Sequence, residues 1–289
     1  RSLRVQSVPA SRGMITDRTG RPLAVSVPVN AVWVDPKVLN EKGGVTQDGR
    51  WKALADALSL TLPQLKAQID AKPDGRFTYL ARQINPSLGE YIKQLKLPGV
   101  YLRQESRRYY SAGLVTAHLI GFTNIDGVGI EGVEKSFNQW LTGQPGERTV
   151  RKDRQGRVIE DISSKDSQAA HNLTLSIDER LQAQVYRELN NAVAFNKAES
   201  GTAVLVDVNT GEVLAMANSP AYNPNNLNNI SRDAVRNRAI TDIFEPGSTV
   251  KPMVVMTALQ RGVIREGSVI NTVPYRINGH EIKDVARYN

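Results

Sequence analysis

The feature of this sequence that most limits its fold is the irregular order of its strand-like and helix-like segments. A doubly wound sheet needs regular alternation, because each parallel strand is joined to the next by a crossover helix. Here, two strand-like runs, 14–17 and 22–36, are followed by two adjacent helical patterns, 51–60 and 62–72. We therefore predict an α+β fold rather than a doubly wound sheet.

The first half continues with the same irregular mixture. Its further segments are a strand-like run at 77–84, a helical pattern at 87–97, a strand-like run at 100–110 and a polar hairpin at 146–161. Pro22 and Pro28 lie in the long strand-like run, and proline cannot donate a ladder hydrogen bond. We expect this run to lie toward a sheet edge.

A small and polar tract, 161–171, is the best candidate for a domain boundary. After it, Asp178 is a predicted N-cap, and leucine or valine recurs every fourth residue from Leu181 to Val193. The apolar runs 202–208 and 212–217 flank the turn Asn-Thr-Gly and predict a hairpin packed on that helix. We predict two modules, residues 1–165 and 166–289.

Composition restricts the classes of function. The chain has 289 residues, of which 40% are hydrophobic and none is cysteine, so disulfides and thiol chemistry are excluded. The three histidines, His118, His171 and His280, lack the spacing of a metal site. The net charge of +8 suits an anionic polymer or surface, but no basic run is interleaved with aromatic residues, which argues against nucleic acid. No apolar run is long enough for a membrane span.

The segment GVGIEG, 127–132, matches the glycine pattern of a dinucleotide-binding turn. Such a site needs buried parallel strands on both sides of the helix that the turn begins. Beyond that helix, this chain has the polar hairpin at 146–161, which is not such a strand. We therefore reject a dinucleotide site.

The segment EPGSTVKP, 245–252, carries the strongest candidate for catalysis. It predicts a helix that begins at Gly247, ends at Gly262 and is buried on most sides, with Ser248 and Lys251 neighbours on its surface. A serine becomes a nucleophile when a nearby base takes its proton, and a lysine can be that base when its ammonium is destabilised. The bare spacing is common, so an ordinary exposed serine and lysine is the alternative interpretation.

Longer strings surround this pair. DVNTGEVLAMANSPAYNPN at 207–225 and EPGSTVKP resemble the opening of a penicillin-binding transpeptidase domain. RGMITDRTGRPLA at 12–24, ESRRYY at 105–110 and GIEGVEKSFNQWLTGQPG at 129–146 resemble the non-catalytic module of class B penicillin-binding proteins. The resemblance covers essentially the whole chain.

The resemblance implies an elongated mixed α/β pedestal over 1–165 and the N-terminal part of a serine β-lactamase-like transpeptidase domain over 166–289. It implies a peptidoglycan D,D-transpeptidase of septal cell-wall synthesis, with Ser248 as nucleophile and Lys251 as general base. The Ser248 backbone N–H would also face the oxyanion. The substrates would be stem peptides that end in D-Ala-D-Ala, the inhibitors β-lactams, and no metal or organic cofactor would be needed.

The same resemblance implies a septal glycan polymerase and other division proteins as partners, and a single-pass inner-membrane anchor with the domains in the periplasm. Arg107, Arg108, Glu131 and Glu134 match charged positions of the pedestal motifs, and we expect them to tie that module together and to orient it against the catalytic domain.

The family's S-x-N and K-[ST]-G motifs do not occur after Ser248 within these 289 residues. We therefore expect the chain by itself to be inactive. Two other classes stay open: a docking module for division proteins, and a serine β-lactamase or β-lactam sensor. The long pedestal argues against the second.

Overall fold

The computed structural model describes residues 2–8, 11–143, 146–152, 158–165, 170–271 and 273–282. The chain forms two compact units, residues 1–242 and 243–289. Both combine helices with sheets, which confirms the α+β prediction. The predicted module boundary at 165/166 falls in a tract of which 166–169 lie outside the described residues, and it stays a prediction. No helix in the described part of the chain is both long and apolar enough to cross a membrane.

The strand-like runs of the sequence form strands in the first unit, which also has a strand at Ser2–Val8 that the sequence does not predict. The described strands of this unit are β1 (Ser2–Val8), β2 (Ile15–Thr16), β3 (Pro22–Val34), β4 (Thr78–Ile84), β5 (Val100–Tyr109), β6 (Gly146–Lys152), β7 (Val158–Lys165), β8 (Leu173–Thr174), β9 (Gly201–Val206) and β10 (Val213–Ser219).

The helical patterns at 51–60, 62–72, 87–97 and after Asp178 also form helices, whereas the sequence does not predict the short helices at Pro36–Glu41 and Ala117–Ile120. The described helices of this unit are α1 (Pro36–Glu41), α2 (Gly49–Ala57), α3 (Leu62–Asp70), α4 (Pro86–Gln94), α5 (Ala117–Ile120), α6 (Gly132–Ser136), α7 (Asn138–Thr142), α8 (Glu179–Phe195) and α9 (Arg238–Thr241).

Strand β3 organises the larger sheet. It pairs antiparallel with β5 over Val25–Val34, and from Asn30 onward it also pairs with β4. The expectation that this run lies at an edge is therefore wrong for its second half, where both edges are occupied. Among the described strands, Pro28 pairs only with Ser106 of β5. The missing proline N–H therefore lies in the part of β3 that has a described neighbouring strand on one side only.

Three helices cover one face of this sheet and form the main core. Asp48, Thr61 and Asn85 cap α2, α3 and α4, and each accepts a backbone N–H in the first turn. The fully buried side chains at the centre of this core are Val32, Val34, Leu39, Leu54 and Leu65. Burial of apolar surface on both the helices and the sheet holds this layer together.

A smaller sheet forms from distant parts of the chain. Strand β6 lies between β1 and β7 and is antiparallel to both. The polar hairpin is thus confirmed, although the turn at 153–157 lies outside the described residues. Because β6 is antiparallel, GVGIEG is not followed by the parallel strand of a dinucleotide fold; it forms a loop that leads into the short helix α6.

Helix α8 and the β9–β10 hairpin form a third layer, as predicted. Asp178 accepts the backbone N–H groups of Arg180 and Leu181, which confirms the N-cap. Gly201 at the start of β9 allows close contact, because a Cβ there would lie 2.7 Å from Val193 Cγ2 and 3.0 Å from Leu189 Cδ1.

The second unit, by itself, has a 3-10 turn (Gly247–Val250), helix α10 (Lys251–Gln260) and the hairpin β11 (Tyr275–Ile277) and β12 (His280–Ile282). The predicted helix is present; it ends at Gln260, two residues before the expected Gly262, whose φ is +70°. The prediction that it is buried is wrong: Met253 and Met256 are each 66% exposed. One short hairpin has too little apolar surface to cover a helix that is hydrophobic nearly all round.

Truncation of a main-core side chain tests the first unit. Leu54→Ala removes a fully buried side chain and leaves a cavity between α2 and the sheet. We expect the free energy of unfolding to fall by about 2–5 kcal/mol. Urea unfolding followed by circular dichroism measures it, with Lys52→Ala on the exposed face of the same helix as the control. Equal stability of both variants would contradict this packing.

Candidate active site

Ser248 and Lys251 lie at the start of the second unit's helix. Ser248 is in the 3-10 turn, and the Lys251 backbone N–H donates to the Ser248 carbonyl, so the two residues are one turn apart. Gly247 has a φ of +49°, in the left-handed region that favours glycine, and this lets the chain turn directly before Ser248. The predicted helix therefore begins as a 3-10 turn and becomes α-helical at Lys251.

Two prolines frame this turn. Pro246 precedes it, and its carbonyl accepts both the backbone N–H and the side-chain hydroxyl of Thr249. Pro252 lies in the first turn of α10, where a missing N–H costs least. Residues next to Ser248 in the sequence thus shape the backbone of its turn.

The side chains of Ser248 and Lys251 are exposed, and no described hydrogen bond joins them. The arrangement offers a hydroxyl, an amine one turn away and backbone N–H groups at a helix start, which together suit attack on a carbonyl carbon. The desolvation that a lysine base needs is not supplied by the described part of the second unit.

The pedestal motifs meet at one buried carboxylate. Glu134 is fully buried, and its two oxygens accept from Arg108 Nε at 2.9 Å, Arg12 Nε at 3.1 Å and the Tyr110 hydroxyl at 2.7 Å. Arg108 also donates to the Gly13 carbonyl at 2.7 Å. The expected role of Arg108 and Glu134 in tying the module together is confirmed, and Arg12 is a further member.

Electrostatics in this cluster act on Tyr110. Burial raises the pKa of Tyr110, and the adjacent negative charge of Glu134 raises it further. The phenol therefore stays protonated and donates its hydrogen to the carboxylate. Two arginines beside one carboxylate leave the cluster with one net positive charge in the interior, so loss of Glu134 would leave two buried cations.

Neither Arg107 nor Glu131 bonds to Glu134 in a described contact, and Glu131 directly precedes α6 as its N-cap residue without a side-chain cap hydrogen bond. Arg107 donates to the Asn225 carbonyl at 2.9 Å. The Asn225 side chain accepts from the Tyr110 backbone N–H at 2.9 Å and donates to the Tyr110 carbonyl at 3.0 Å. Asn225 thus pairs with the end of β5 as a neighbouring strand would, and it attaches the loop after β10 to the first part of the chain.

Tyr222 and His118 make a second attachment. The Tyr222 hydroxyl donates to the Ala117 carbonyl at 2.9 Å, and His118 Nε2 lies 2.8 Å from the Ala234 carbonyl. The two rings meet edge to face at 5.1 Å. Burial raises the pKa of Tyr222, with a further contribution from Glu131, and burial lowers the pKa of His118.

Gln182, in the first turn of α8, connects this helix with the segment at Val115 and with β10 at Met216. Its side-chain nitrogen donates to the carbonyls of Val115 at 2.8 Å and Met216 at 2.9 Å, and its oxygen accepts the Met216 backbone N–H at 2.8 Å. The side chain is fully buried, and these bonds use both of its N–H groups and its oxygen.

Asp17 stabilises the start of α8 from across the chain. Its Oδ2 accepts the Glu179 backbone N–H at 3.0 Å, while its Oδ1 accepts from Thr19 and from the Arg21 backbone N–H. Burial works to raise the pKa of Asp17, but these hydrogen bonds to the charged form outweigh it and lower the pKa below the ordinary value of 3.8.

The three histidines lie in different environments. His118 is buried, His171 stacks on Trp140 at 4.2 Å between ring centroids, and His280 is exposed in β12. Within the described ranges, no three potential metal-ligating side chains cluster.

Sequence reasoning missed Arg12, Asp17, Gln182 and Asn225 as residues that link distant segments. Asp17 and Asn225 lie in turn-like strings that indicate local structure only. Gln182 carries no signal, because a glutamine in the first turn of an amphipathic helix resembles a surface residue.

Neutralisation of the buried carboxylate tests the cluster. Glu134→Gln keeps the shape of the side chain but leaves Arg12 and Arg108 buried without a counter-charge. We expect a loss of about 3–5 kcal/mol in the free energy of unfolding. Asp56→Asn, which breaks the exposed Lys52–Asp56 pair, is the control and costs at most about 1 kcal/mol. A Glu134→Gln variant no less stable than this control would contradict the role of the cluster.

Replacement of Asp17 tests the cap through its pH dependence. Asp17→Asn offers one acceptor oxygen where the carboxylate offers two, and we expect a loss of about 1–3 kcal/mol near neutral pH. Because the folded-state pKa is lowered, this stabilisation is present above 3.8 and is lost as the pH falls through the folded-state value.

The urea midpoints of the parent protein and of Asp17→Asn should therefore converge as the pH falls below about 4. Asp74→Asn, at an exposed position without a described hydrogen bond, is the control and should change neither the midpoint nor its pH dependence. A stability difference for Asp17→Asn that is constant across this range would exclude the carboxylate as its cause.

Two family models match the chain. The penicillin-binding protein dimerisation domain matches residues 7–175, and the penicillin-binding protein transpeptidase domain matches residues 201–289. The chain is 77% identical over 289 residues to peptidoglycan D,D-transpeptidase FtsI of Escherichia coli K12 and covers 49% of that protein. It is 38% identical over 291 residues to the probable peptidoglycan D,D-transpeptidase PenA of Neisseria gonorrhoeae, again covering 49%. The chain thus spans about half the length of these curated relatives.

Solved structures share the fold. A peptidoglycan synthetase from Bifidobacterium adolescentis superposes with a TM-score of 0.68 at 26% identity, over 100% of this chain and 56% of that one. Penicillin-binding protein PBP2 of Helicobacter pylori, in a complex with MreC, superposes with a TM-score of 0.77 at 21% identity, over 99% of this chain and 58% of that one. The buried cluster, the attached α8 layer and the Ser248 turn thus belong to a member of the penicillin-binding protein family.

Proposed function

We propose that the protein carrying this chain is a peptidoglycan D,D-transpeptidase with Ser248 as its nucleophile and Lys251 as its general base. The single observation that carries this proposal is the turn at 247–251, where Lys251 donates its backbone N–H to the Ser248 carbonyl and lies one turn away. The match of the transpeptidase-domain model to residues 201–289 supports it.

The chemistry follows from these two side chains. Ser248 Oγ attacks the carbonyl carbon of the penultimate D-alanine as its proton moves to the neutral Lys251 amine. The tetrahedral oxyanion accepts the Ser248 backbone N–H, then collapses with release of D-alanine, whose nitrogen takes the proton. The amine of a second stem peptide attacks the carbonyl carbon of the acyl-enzyme, with Lys251 taking its proton. The bond from Ser248 Oγ to the acyl group breaks as the new amide bond forms, and Lys251 returns the proton to Ser248 Oγ. No metal or organic cofactor takes part.

Lys251 needs a low-dielectric environment to be neutral at physiological pH. Its side chain is exposed in the second unit, so we propose that bound stem peptide and further protein walls desolvate it. The relatives are about twice as long as this chain, and we expect the additional sequence to carry the S-x-N and K-[ST]-G motifs of those walls.

The biological setting is proposed from the same relatives. Because the chain is 77% identical to FtsI of Escherichia coli, we propose that the protein acts at the division septum. We also propose that β-lactams inhibit it covalently, because they mimic the peptide substrate. We propose an inner-membrane anchor, periplasmic domains, and a glycan polymerase and division proteins as partners. The complex of Helicobacter pylori PBP2 with MreC supports a protein partner in general without specifying one for this chain.

Two other functions compete with this proposal. A serine β-lactamase or β-lactam sensor shares the Ser-x-x-Lys pair, but the dimerisation-domain match over residues 7–175 favours the transpeptidase. A pure docking module remains the alternative in which Ser248 has no chemical role.

Covalent labelling tests the proposal. In a protein that carries this chain at the full length of its relatives, we expect stoichiometric labelling by fluorescent penicillin. Ser248→Ala abolishes it, because no hydroxyl is left to be acylated. Lys251→Arg lowers the rate by about 10²-fold or more, because arginine cannot give up its proton to act as the base.

Ser268→Ala, at another exposed serine of the second unit, is the matched control and should label like the parent protein. Labelling that persists in Ser248→Ala would show that another residue is the nucleophile. A label lost within minutes by hydrolysis would favour a β-lactamase.

A further inference from the structure

A second concave site lies on the first unit, built from the segment directly after GVGIEG. It is an open cleft of about 700 Å³ lined mainly by Lys135, Ser136, Phe137, Gln139, Trp140 and His171. Gly129 and Asn138 complete the lining, and Asn138 accepts a hydrogen bond from Arg12, so the cleft borders the Glu134 cluster. The cleft combines two aromatic rings with several hydrogen-bonding side chains.

Trp140 forms a rigid wall of the cleft. One face of its ring stacks on His171, with 4.2 Å between centroids and 22° between planes. Its Nε1 donates to the Asn172 carbonyl at 3.0 Å, and its backbone carbonyl accepts the His171 N–H at 3.1 Å. Met14 N donates in turn to the Asn172 side chain at 2.9 Å. The ring is therefore held in place while 48% of Trp140 stays exposed.

The polar side chains of the cleft are uncommitted. Across the described residues, Ser136 Oγ, the Gln139 amide and Asn138 Nδ2 have no hydrogen-bond partner, and the exposed Lys135 has no ion pair. Asn138 is oriented all the same, because its Oδ1 accepts from Arg12 Nη1 at 2.8 Å and from the Gly129 backbone N–H at 2.9 Å. Its amide nitrogen is thus available to a ligand.

A fixed aromatic face beside free amide, hydroxyl and ammonium groups suits a ligand that is apolar on one face and polar at its edge. A pyranose ring has this character, since its axial C–H groups form an apolar face and its hydroxyl and acetamido groups form the rim. An apolar helix would leave the donors of Lys135, Ser136 and Gln139 unpaired at the contact. The ammonium of Lys135 adds a preference for a saccharide that carries a carboxylate.

We propose that the cleft at Trp140 binds a peptide-free stretch of an N-acetylated glycan chain, with one ring on the Trp140 indole and the free lactyl carboxylate of a sugar without a stem peptide at Lys135. This rests on the proposed function and deepens it, since it assigns to the first unit a contact with stretches of the glycan backbone that lie between the peptide-bearing sugars of the proposed substrate. The site holds the strand and takes no part in the acyl transfer.

The test is a binding titration of the whole chain with a tetrasaccharide of alternating N-acetylglucosamine and N-acetylmuramic acid that lacks stem peptides. Calorimetry measures affinity, and tryptophan fluorescence reports on the indole. We expect Trp140→Ala to weaken binding about ten-fold or more. Lys135→Gln weakens it about two- to five-fold for this probe and leaves binding of uncharged chitotetraose unchanged.

Matched variants keep the proposal falsifiable. Phe77→Ala removes a comparably exposed aromatic residue, 42% exposed, outside the cleft, and should leave affinity unchanged. Trp140→Phe keeps an aromatic face without the Nε1 hydrogen bond, so it should retain most of the binding even if Trp140→Ala unfolds. No binding at millimolar probe, or equal affinity for the parent and both Trp140 variants, would overturn the proposal.

The outcome is separable from that of the acylation test. Because the probe has no peptide, its binding does not depend on Ser248. Penicillin labelling without saccharide binding would overturn only the glycan site, and saccharide binding without labelling would overturn only the transpeptidase assignment. Binding of an apolar peptide in competition with the tetrasaccharide, at higher affinity, would reassign the cleft to a protein partner and overturn the glycan site.

Discussion

A carboxylate without solvent contact has to be paired, because an isolated buried charge costs several kcal/mol. Glu134 meets this constraint through Arg12, Arg108 and Tyr110, which come from the start of the chain, the end of β5 and the residue beyond it. Arg12 lies 122 residues before Glu134 in the sequence. The segment around Gly13, the end of β5 and helix α6 are therefore held to one another by this cluster.

A similar set of directional contacts joins the α8 layer to the rest of the first unit. Asn225 pairs with the backbone of Tyr110, Asp17 accepts the first N–H of α8, and Gln182 connects α8 with Met216 and Val115. Polar contacts fix orientation as well as proximity, since each bond has an angular requirement that apolar packing lacks. The attachment thus sets the position of the loop after β10 relative to the first part of the chain.

Much of the fold could be predicted from sequence where neighbouring residues decide the outcome. The helices predicted at 51–60 and 62–72 and the hairpin around Asn209–Gly211 follow from helical patterns and turn residues, and the structure confirms them. The edge placement of β3 failed because proline restricts one ladder position, not the number of neighbouring strands. The prediction that α10 is buried failed because an apolar helix is buried only where other parts of the protein pack against it, and its own hydrophobicity does not supply those parts.

The sequence by itself determined what a single turn or strand can encode. It fixed the spacing of Ser248 and Lys251, the glycine and prolines that shape their turn, and the cap of α8 at Asp178. Only the tertiary structure decided which charges meet: that Arg12 and Arg108 share Glu134, and that Arg107 instead reaches Asn225. The physical reason is range. Local patterns describe neighbours within a few residues, whereas these contacts join positions up to 122 residues apart and exist only once the chain between them has folded.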